Sequence, residues 1–332
     1  MGKMMRVGTI GAGVIVETFI QAVRNVENCE VSALYLREDE IESDFHKRVN
    51  VSKYHTTYDA LFQDDEVDII YIALPNSLHY KVTKQALKAG KHVICEKPFT
   101  SNKKEAQELV DLAKEKSLLL FEAITVVHMP NFVELKNAIP RVGKISLVQA
   151  NYSQYSSKYA ALAKGELPNV FNPQFSGGAL MDINVYNIHA VVSLFGMPKN
   201  TTYYAHKHEN GIDLSGIAIL EYDEFPCVCI GAKDSKSQNY FQVQGDKGYV
   251  NVNKGINGVS SLSLVTQEEV QIDKQDKDNW WTYEVEAFKA IFDRKDIQTC
   301  YKMLEHSLQV MEVIDKLKAS ANIVFAADEG GQ

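Results

Sequence analysis

An apolar run from Met5 to Ile10 ends on Gly11-Ala12-Gly13 and passes directly into helical spacing that continues through Val26. This junction constrains the fold more than any other feature of the chain. A strand that feeds a helix through closely spaced glycines opens a crossover unit, and crossovers build parallel sheets. The alternation then repeats. Glu30 to Leu36 is β-rich, Asp68 to Leu74 is apolar throughout, and Lys91 to Cys95 and Leu118 to Phe121 are further strands. Between them, Ser77 to Ala89 carries helical periodicity and stops at Gly90, and Asn102 opens a charged helix. The unbroken apolar character of Asp68 to Leu74 suits a strand covered on both faces. The pattern predicts a doubly wound α/β domain over residues 1–124.

After residue 124 the pattern changes. Val142 to Tyr155, Thr201 to Ala205, Ile217 to Tyr222, Pro226 to Ala232, Tyr240 to Gln244 and Leu262 to Val270 read as strands with short polar links. Strands in series without helices between them predict a mostly antiparallel sheet. One long helix, Gly178 to Phe195, interrupts them, and helical segments at Tyr283 to Phe292 and Cys300 to Ala319 close the chain. The 332 residues are enough for two domains. The second is expected over 125–332 as an α+β domain, its C-terminal helices free to pack back on the first.

Charge and cysteine content narrow the function. Against 35 Lys+Arg stand 43 Asp+Glu, a formal charge of −8. Such a surface argues against nucleic acid and anionic membrane as partners. No apolar run reaches the ~20 residues of a membrane span, and no targeting segment is evident at the N-terminus. Five cysteines, an odd number, do not make a disulfide framework. A cytoplasmic protein is expected. Cys227 with Cys229, and His206 with His208, alternate along strands without a second ligand pair, so no metal site is expected.

The remaining signals converge on a nucleotide and a proton-transfer site. Gly11 and Gly13 let the backbone approach a pyrophosphate at a helix N-terminus, although Val16 replaces the third glycine of the usual fingerprint. The tip of the second strand reads Tyr35-Leu36-Arg37, with no acid to hold ribose hydroxyls. Arg37 could instead pair with a 2′-phosphate, the alternative being a solvated arginine beside Glu38 and Asp39. Pro75-Asn76-Ser77-Leu78-His79 and Glu96-Lys97-Pro98 each follow a strand, where ligands of open α/β sheets bind. Lys97 there could stabilise alkoxide charge or relay a proton; otherwise Glu96 and Lys97 are an ion pair at a strand end. On the long helix, Asp182, Tyr186 and His189 fall at i, i+4 and i+7 among apolar neighbours. Such a stripe is costly to bury unless it pairs or binds something; otherwise it faces solvent. Trp280 and Trp281 read as packing.

Taken together, the VGTIGAG start, PNSLH, EKPF, SGGALMDINVYNIH and the EHSLQVMEVIDKLKASANIVF ending resemble the glucose–fructose oxidoreductase and inositol dehydrogenase (Gfo/Idh/MocA) family, in its dihydrodiol dehydrogenase-like branch. The resemblance implies an N-terminal Rossmann domain and a C-terminal domain whose large open sheet forms a dimer or tetramer. It implies hydride transfer between a nicotinamide cofactor and a secondary alcohol or carbonyl of a sugar, cyclitol or diol. NADP(H) is the preferred cofactor, with NAD(H) as the alternative. Lys97, Asp182 and Tyr186 map to the family's catalytic positions, with Tyr186 as proton donor or acceptor, Lys97 lowering the phenol's pKa and His189 touching substrate. Many members carry histidine where this chain has Tyr186. Cofactor contacts are expected from Gly11, Gly13, Val14, Ile15, Arg37, Leu74, Pro75, Asn76, His79, Glu96 and Lys97, the pyrophosphate contact slightly loosened by Val16. The loop Ser156 to Phe175 is expected to wall the pocket. The competing readings are a non-catalytic redox sensor and an NAD-dependent glycoside-cleaving relative.

Overall fold

The computed structural model describes residues 2–329. They fall into two compact units. One comprises the chain up to Thr100, Lys104–Ala123 and Lys277–Ser307; the other comprises Ser101–Lys103, Ile124–Asp276 and the chain from Leu308 onward.

The first unit is built on six parallel strands: β1 (Met5–Ile10), β2 (Cys29–Tyr35), β3 (Tyr54–His55), β4 (Ile69–Ile72), β5 (His92–Glu96) and β6 (Leu120–Ala123). Their order is β3-β2-β1-β4-β5-β6. It reverses between β1 and β4, which is where an open doubly wound sheet leaves a crevice at its carboxyl ends. All four residues of β4 are buried, as its continuous apolar run requires. Helix α1 (Val14–Arg24) turns Val16, Phe19, Ile20 and Val23 inward, and Phe19 stacks on Tyr71 with ring centroids 3.6 Å apart. Burying each such side chain contributes roughly 1.5–3 kcal/mol. Helices α2 (Asn76–Lys88) and α3 (Lys103–Glu115) are the next crossovers. The two-residue β3 is too short to leave a periodic signal.

The chain returns to this core near its end. The later helix Trp281–Arg294 sends Val285, Phe288 and Ile291 into the same cluster as α1, and Phe288 stacks on Phe121 at 4.4 Å.

The second unit holds eight strands: β7 (Ile145–Ser153), β8 (Asn200–Lys207), β9 (Asp213–Glu221), β10 (Pro226–Ala232), β11 (Tyr240–Gly245), β12 (Gly248–Asn253), β13 (Leu262–Val265) and β14 (Glu269–Ile272). The order is β14-β13-β12-β11-β7-β10-β9-β8, with β7–β10 the one parallel pair among them. Strand β12 was not expected, and the run Leu262 to Val270 is two strands joined by a turn, closed by the Thr266 N–H donating to the Glu268 carbonyl at 3.0 Å. The expected helix Gly178 to Phe195 is also not uniform. It opens as a π-helical turn, Leu180–Asn184, and continues as α4 (Val185–Phe195). The last helices are α5 (Trp281–Arg294) and α6 (Ile297–Ser320), and the division between the units falls inside α6.

Candidate functional site

In the first unit, the residues expected to hold a cofactor lie at the carboxyl ends of β1, β2, β4 and β5. Gly11 has φ +119°, and a Cβ there would lie 2.4 Å from the Ala73 carbonyl oxygen, so β1 turns hard against the end of β4. Gly13 is different. A Cβ on it would meet nothing within 4 Å. It precedes α1 with no side chain capping the helix, and Val14 and Ile15 are 75% and 43% exposed. An uncapped helix start behind an open glycine suits the diphosphate of a dinucleotide. Val16 stands where the usual fingerprint has its third glycine. It is buried and packs near Gly11, filling the space where a third glycine would allow close helix–sheet packing.

Leu74, Pro75 and Asn76 follow β4, and Pro75 leads into α2 without a side-chain cap. His79 is buried rather than facing the crevice. Its Nδ1 lies 2.9 Å from the Pro98 carbonyl and its Nε2 2.8 Å from the Leu74 carbonyl, so the ring ties two of the strand-end loops together. Burial lowers its pKa against the pull of both carbonyls. Glu96 also turns inward. Its Oε1 accepts from the Tyr71 hydroxyl at 2.7 Å and its Oε2 from the Lys97 N–H at 3.2 Å. Burial pushes its carboxyl up to about 7, while Tyr71 and Lys97 pull it back. Through that second bond it holds the main chain that carries Lys97, which is half-buried and precedes a cis Pro98. Arg37 follows β2 and sits over its acidic neighbours, with a nitrogen 3.0 Å from Glu40 and 3.3 Å from Asp39. The hydrogen bond to Glu40 raises its pKa.

In the second unit, the helical stripe divides. Asp182 and Tyr186 are partly exposed, whereas His189 has no exposed surface. The sequence reading of one face with i, i+4, i+7 spacing assumed a uniform α-helix. Asp182 lies in the π turn, whereas Tyr186 and His189 both lie in α4, and of these two His189 is the one the protein covers. The π turn is held from below. Asp213, fully buried, accepts the Leu180 N–H at 2.6 Å and the Tyr203 hydroxyl at 2.7 Å through one oxygen. Its other oxygen lies where a Cβ on Gly178 would be, 2.0 Å away, and Gly178 has φ +107°. Asn184 and Asn187 donate to the Cys229 and Ile230 carbonyls at 3.0 and 3.1 Å, fastening the helix to β10.

That fastening brings in a residue the sequence reading did not select. Lys233, just past β10, is almost wholly buried and ion-paired with Asp182. Its ammonium also lies 6.0 Å from the Phe171 ring, at the end of the loop expected to wall the pocket. The only sequence signal was a lysine directly after an apolar strand. Tyr186 rests edge-on against Tyr152, with ring centroids 5.7 Å apart. No cluster of histidine, cysteine or acidic side chains able to hold a metal occurs among the described residues.

The open helix start, the strand order and the inward-turned glutamate beside a strand-end lysine define a dinucleotide-binding protein of the doubly wound class. Comparison with known proteins gives the family. Residues 5–124 match the model described as the oxidoreductase family with an NAD-binding Rossmann fold, and residues 133–251 match the GFO/IDH/MocA C-terminal domain. The chain is 31% identical to scyllo-inositol 2-dehydrogenase (NADP(+)) IolU of Bacillus subtilis, over 98% of this chain and all of that protein. It is 28% identical to trans-1,2-dihydrobenzene-1,2-diol dehydrogenase of Xenopus tropicalis over 65% of this chain and 64% of that one. The same fold occurs in KijD10, a 3-ketoreductase from Actinomadura kijaniata solved with NADP and TDP-benzene, at TM-score 0.82 and 24% identity over 95% of this chain and 97% of that one. The chain belongs to the Gfo/Idh/MocA oxidoreductase family. It is a hydride-transferring oxidoreductase with a nicotinamide-cofactor domain. None of its described helices is long and apolar enough to cross a membrane.

Proposed function

We propose that the protein is an NADP(H)-preferring dehydrogenase or reductase acting on a secondary alcohol, or the matching carbonyl, of a cyclitol, sugar or cyclic diol. The observation that carries this reading is the end-to-end likeness to a protein named scyllo-inositol 2-dehydrogenase (NADP(+)). The open start of α1 and the acid-free end of β2 support the cofactor assignment.

The nicotinamide cofactor supplies or accepts the hydride. Gly11, Gly13, Val14 and Ile15 are the proposed diphosphate cradle, with Leu74, Pro75 and Asn76 beside it and Arg37 exchanging its carboxylates for a 2′-phosphate. Tyr186 is the proposed acid–base group, taking the hydroxyl proton during oxidation and returning it during reduction. Lys97, held in place by Glu96, carries the ammonium that steadies negative charge on the substrate oxygen. Asp182, oriented by Lys233, accepts a neighbouring hydroxyl, a pairing that suits a polyol. His189, which has no exposed surface, is the further residue proposed to meet substrate.

The test is a fluorescence titration with NADPH and NADH, followed by an absorbance screen at the nicotinamide band over cyclitols, sugars and cyclic diols. Tighter binding of NADPH and turnover of at least one cyclitol or diol are expected. Binding without turnover would favour a redox-sensing protein, and no binding of either nucleotide would overturn the reading.

Tyr204, Ile217, Tyr249 and Val270 leave the second unit's sheet with exposed apolar side chains, which supports a homodimer or homotetramer through that sheet. Its five cysteines are free, in keeping with a cytoplasmic location.

A further inference from the structure

Lys233 is the first residue past β10, and its main chain is held on both sides. Its N–H donates to the Leu214 carbonyl and its carbonyl accepts the Ser156 N–H, each at 2.8 Å. Its side chain is almost wholly buried, and the ammonium both pairs with Asp182 and lies 6.0 Å from the centre of the Phe171 ring. These partners come from different parts of the chain. Asp182 belongs to the π turn, whereas Ser156 and Phe171 stand near the two ends of the loop over residues 156–175.

The far end of that loop is packed as well as bonded. Phe171 has no exposed surface, meets Tyr159 edge-on with ring centroids 6.0 Å apart, and its carbonyl accepts from the Asn210 amide at 2.9 Å. The Val170 carbonyl accepts the Gly178 N–H at 2.8 Å, and the Gly178 carbonyl accepts the Asp182 N–H at 3.0 Å. Loop and π turn are therefore joined twice, once through the main chain of Gly178 and once through Lys233. The main-chain bonds set how close the two segments lie. The ammonium adds a shared charge: deprived of its carboxylate it would be left buried and unpaired, so it does not stay in place beside Phe171 once Asp182 has gone.

We infer that Lys233 is a positioning residue that couples the loop 156–175 to Asp182: its ammonium holds the carboxylate and the Phe171 ring, its carbonyl holds the start of the loop, and the loop and the carboxylate keep or lose their places together. That both face substrate rests on the proposed function; the coupling between them does not.

Hydrogen exchange of the cofactor-free protein reads both ends of the coupling, because the amides of Phe171, Phe175 and Asp182 are all hydrogen-bonded and exchange only on opening. Lys233→Met removes the charge and keeps a long side chain. It should speed exchange about tenfold or more both at residues 169–175 and at 180–186, while β13 and β14 stay as in wild type. Lys233→Arg keeps a cation that also attracts a ring, and should return both segments to within about threefold of wild type. If Lys233→Met fails to fold, Asp182→Asn carries the same test from a partly exposed position: the amides at 169–175 should exchange about threefold faster or more. NADPH affinity of the variants should stay within about twofold of wild type, since the proposed cradle lies in the first unit. Faster exchange in one segment alone, no recovery in Lys233→Arg, or an unmoved loop in Asp182→Asn would overturn the inference. Wild-type protein that binds no nucleotide while its variants exchange as expected would overturn the proposed function and leave the coupling standing.

Discussion

The two helices that carry the candidate residues begin in opposite ways. α1 starts behind Gly13 with free space in front of the glycine, no capping side chain and two exposed apolar residues in its first turn. The helix that carries Asp182 and Tyr186 starts behind Gly178, and there the buried carboxylate of Asp213 fills the glycine's empty side and takes the first N–H. Both starts use a glycine, for unlike reasons. An open helix end has N–H groups and a partial positive charge left for an anionic ligand. A sealed one has spent them inside the protein, and what it delivers is a fixed direction for the side chains further along. On the proposed function, the first start would bind and the second would aim.

The contrast can be broken by adding one methyl group at each glycine. Gly178→Ala puts a Cβ against the Asp213 carboxylate at a backbone conformation that L-residues avoid, and should cost about 2–5 kcal/mol of stability by denaturant unfolding. A change under about 0.5 kcal/mol would mean that Asp213 does not seal the turn. Gly13→Ala meets nothing in the folded protein, so its stability should hold, while NADPH affinity should fall about tenfold or more as the methyl enters the space of the diphosphate. Unchanged affinity would remove the cradle from the account. Arg37→Ala should have the smallest effect. Its ion pairs are surface-exposed, so stability should move by less than about 1 kcal/mol. The preference for NADPH over NADH should drop by about tenfold, the loss of one charge-assisted contact. An unaltered preference would leave Arg37 as the anchor of its own short helix and nothing more.

Much of the first unit was legible because apolar strands, glycine turns and amphipathic helices repeat in register. In the second unit, β12 was missed because Asn251 and Asn253 alternate with Val250 and Val252, and asparagine has low strand preference. The π turn left no local mark, since its cause is the carboxylate of Asp213, more than thirty residues away. Lys233 was illegible for the same reason: its partner Asp182 lies on another element. Glu284 and Glu286 look alike in sequence, and only packing separates the buried one from the surface one. His189 shares its spacing with Asp182 and Tyr186 but is fully buried, because periodicity gives spacing and not the depth at which each position is covered.

The most direct test of the distinction between binding and aiming is the kinetics of Tyr186→Phe alongside a direct titration of its cofactor. The phenol should be needed for the proton and not for the nucleotide, so kcat should fall by about 10²–10⁴ while the dissociation constant for NADPH stays within about twofold. Full turnover in the phenylalanine variant, or a loss of nucleotide affinity equal to the loss of kcat, would contradict it.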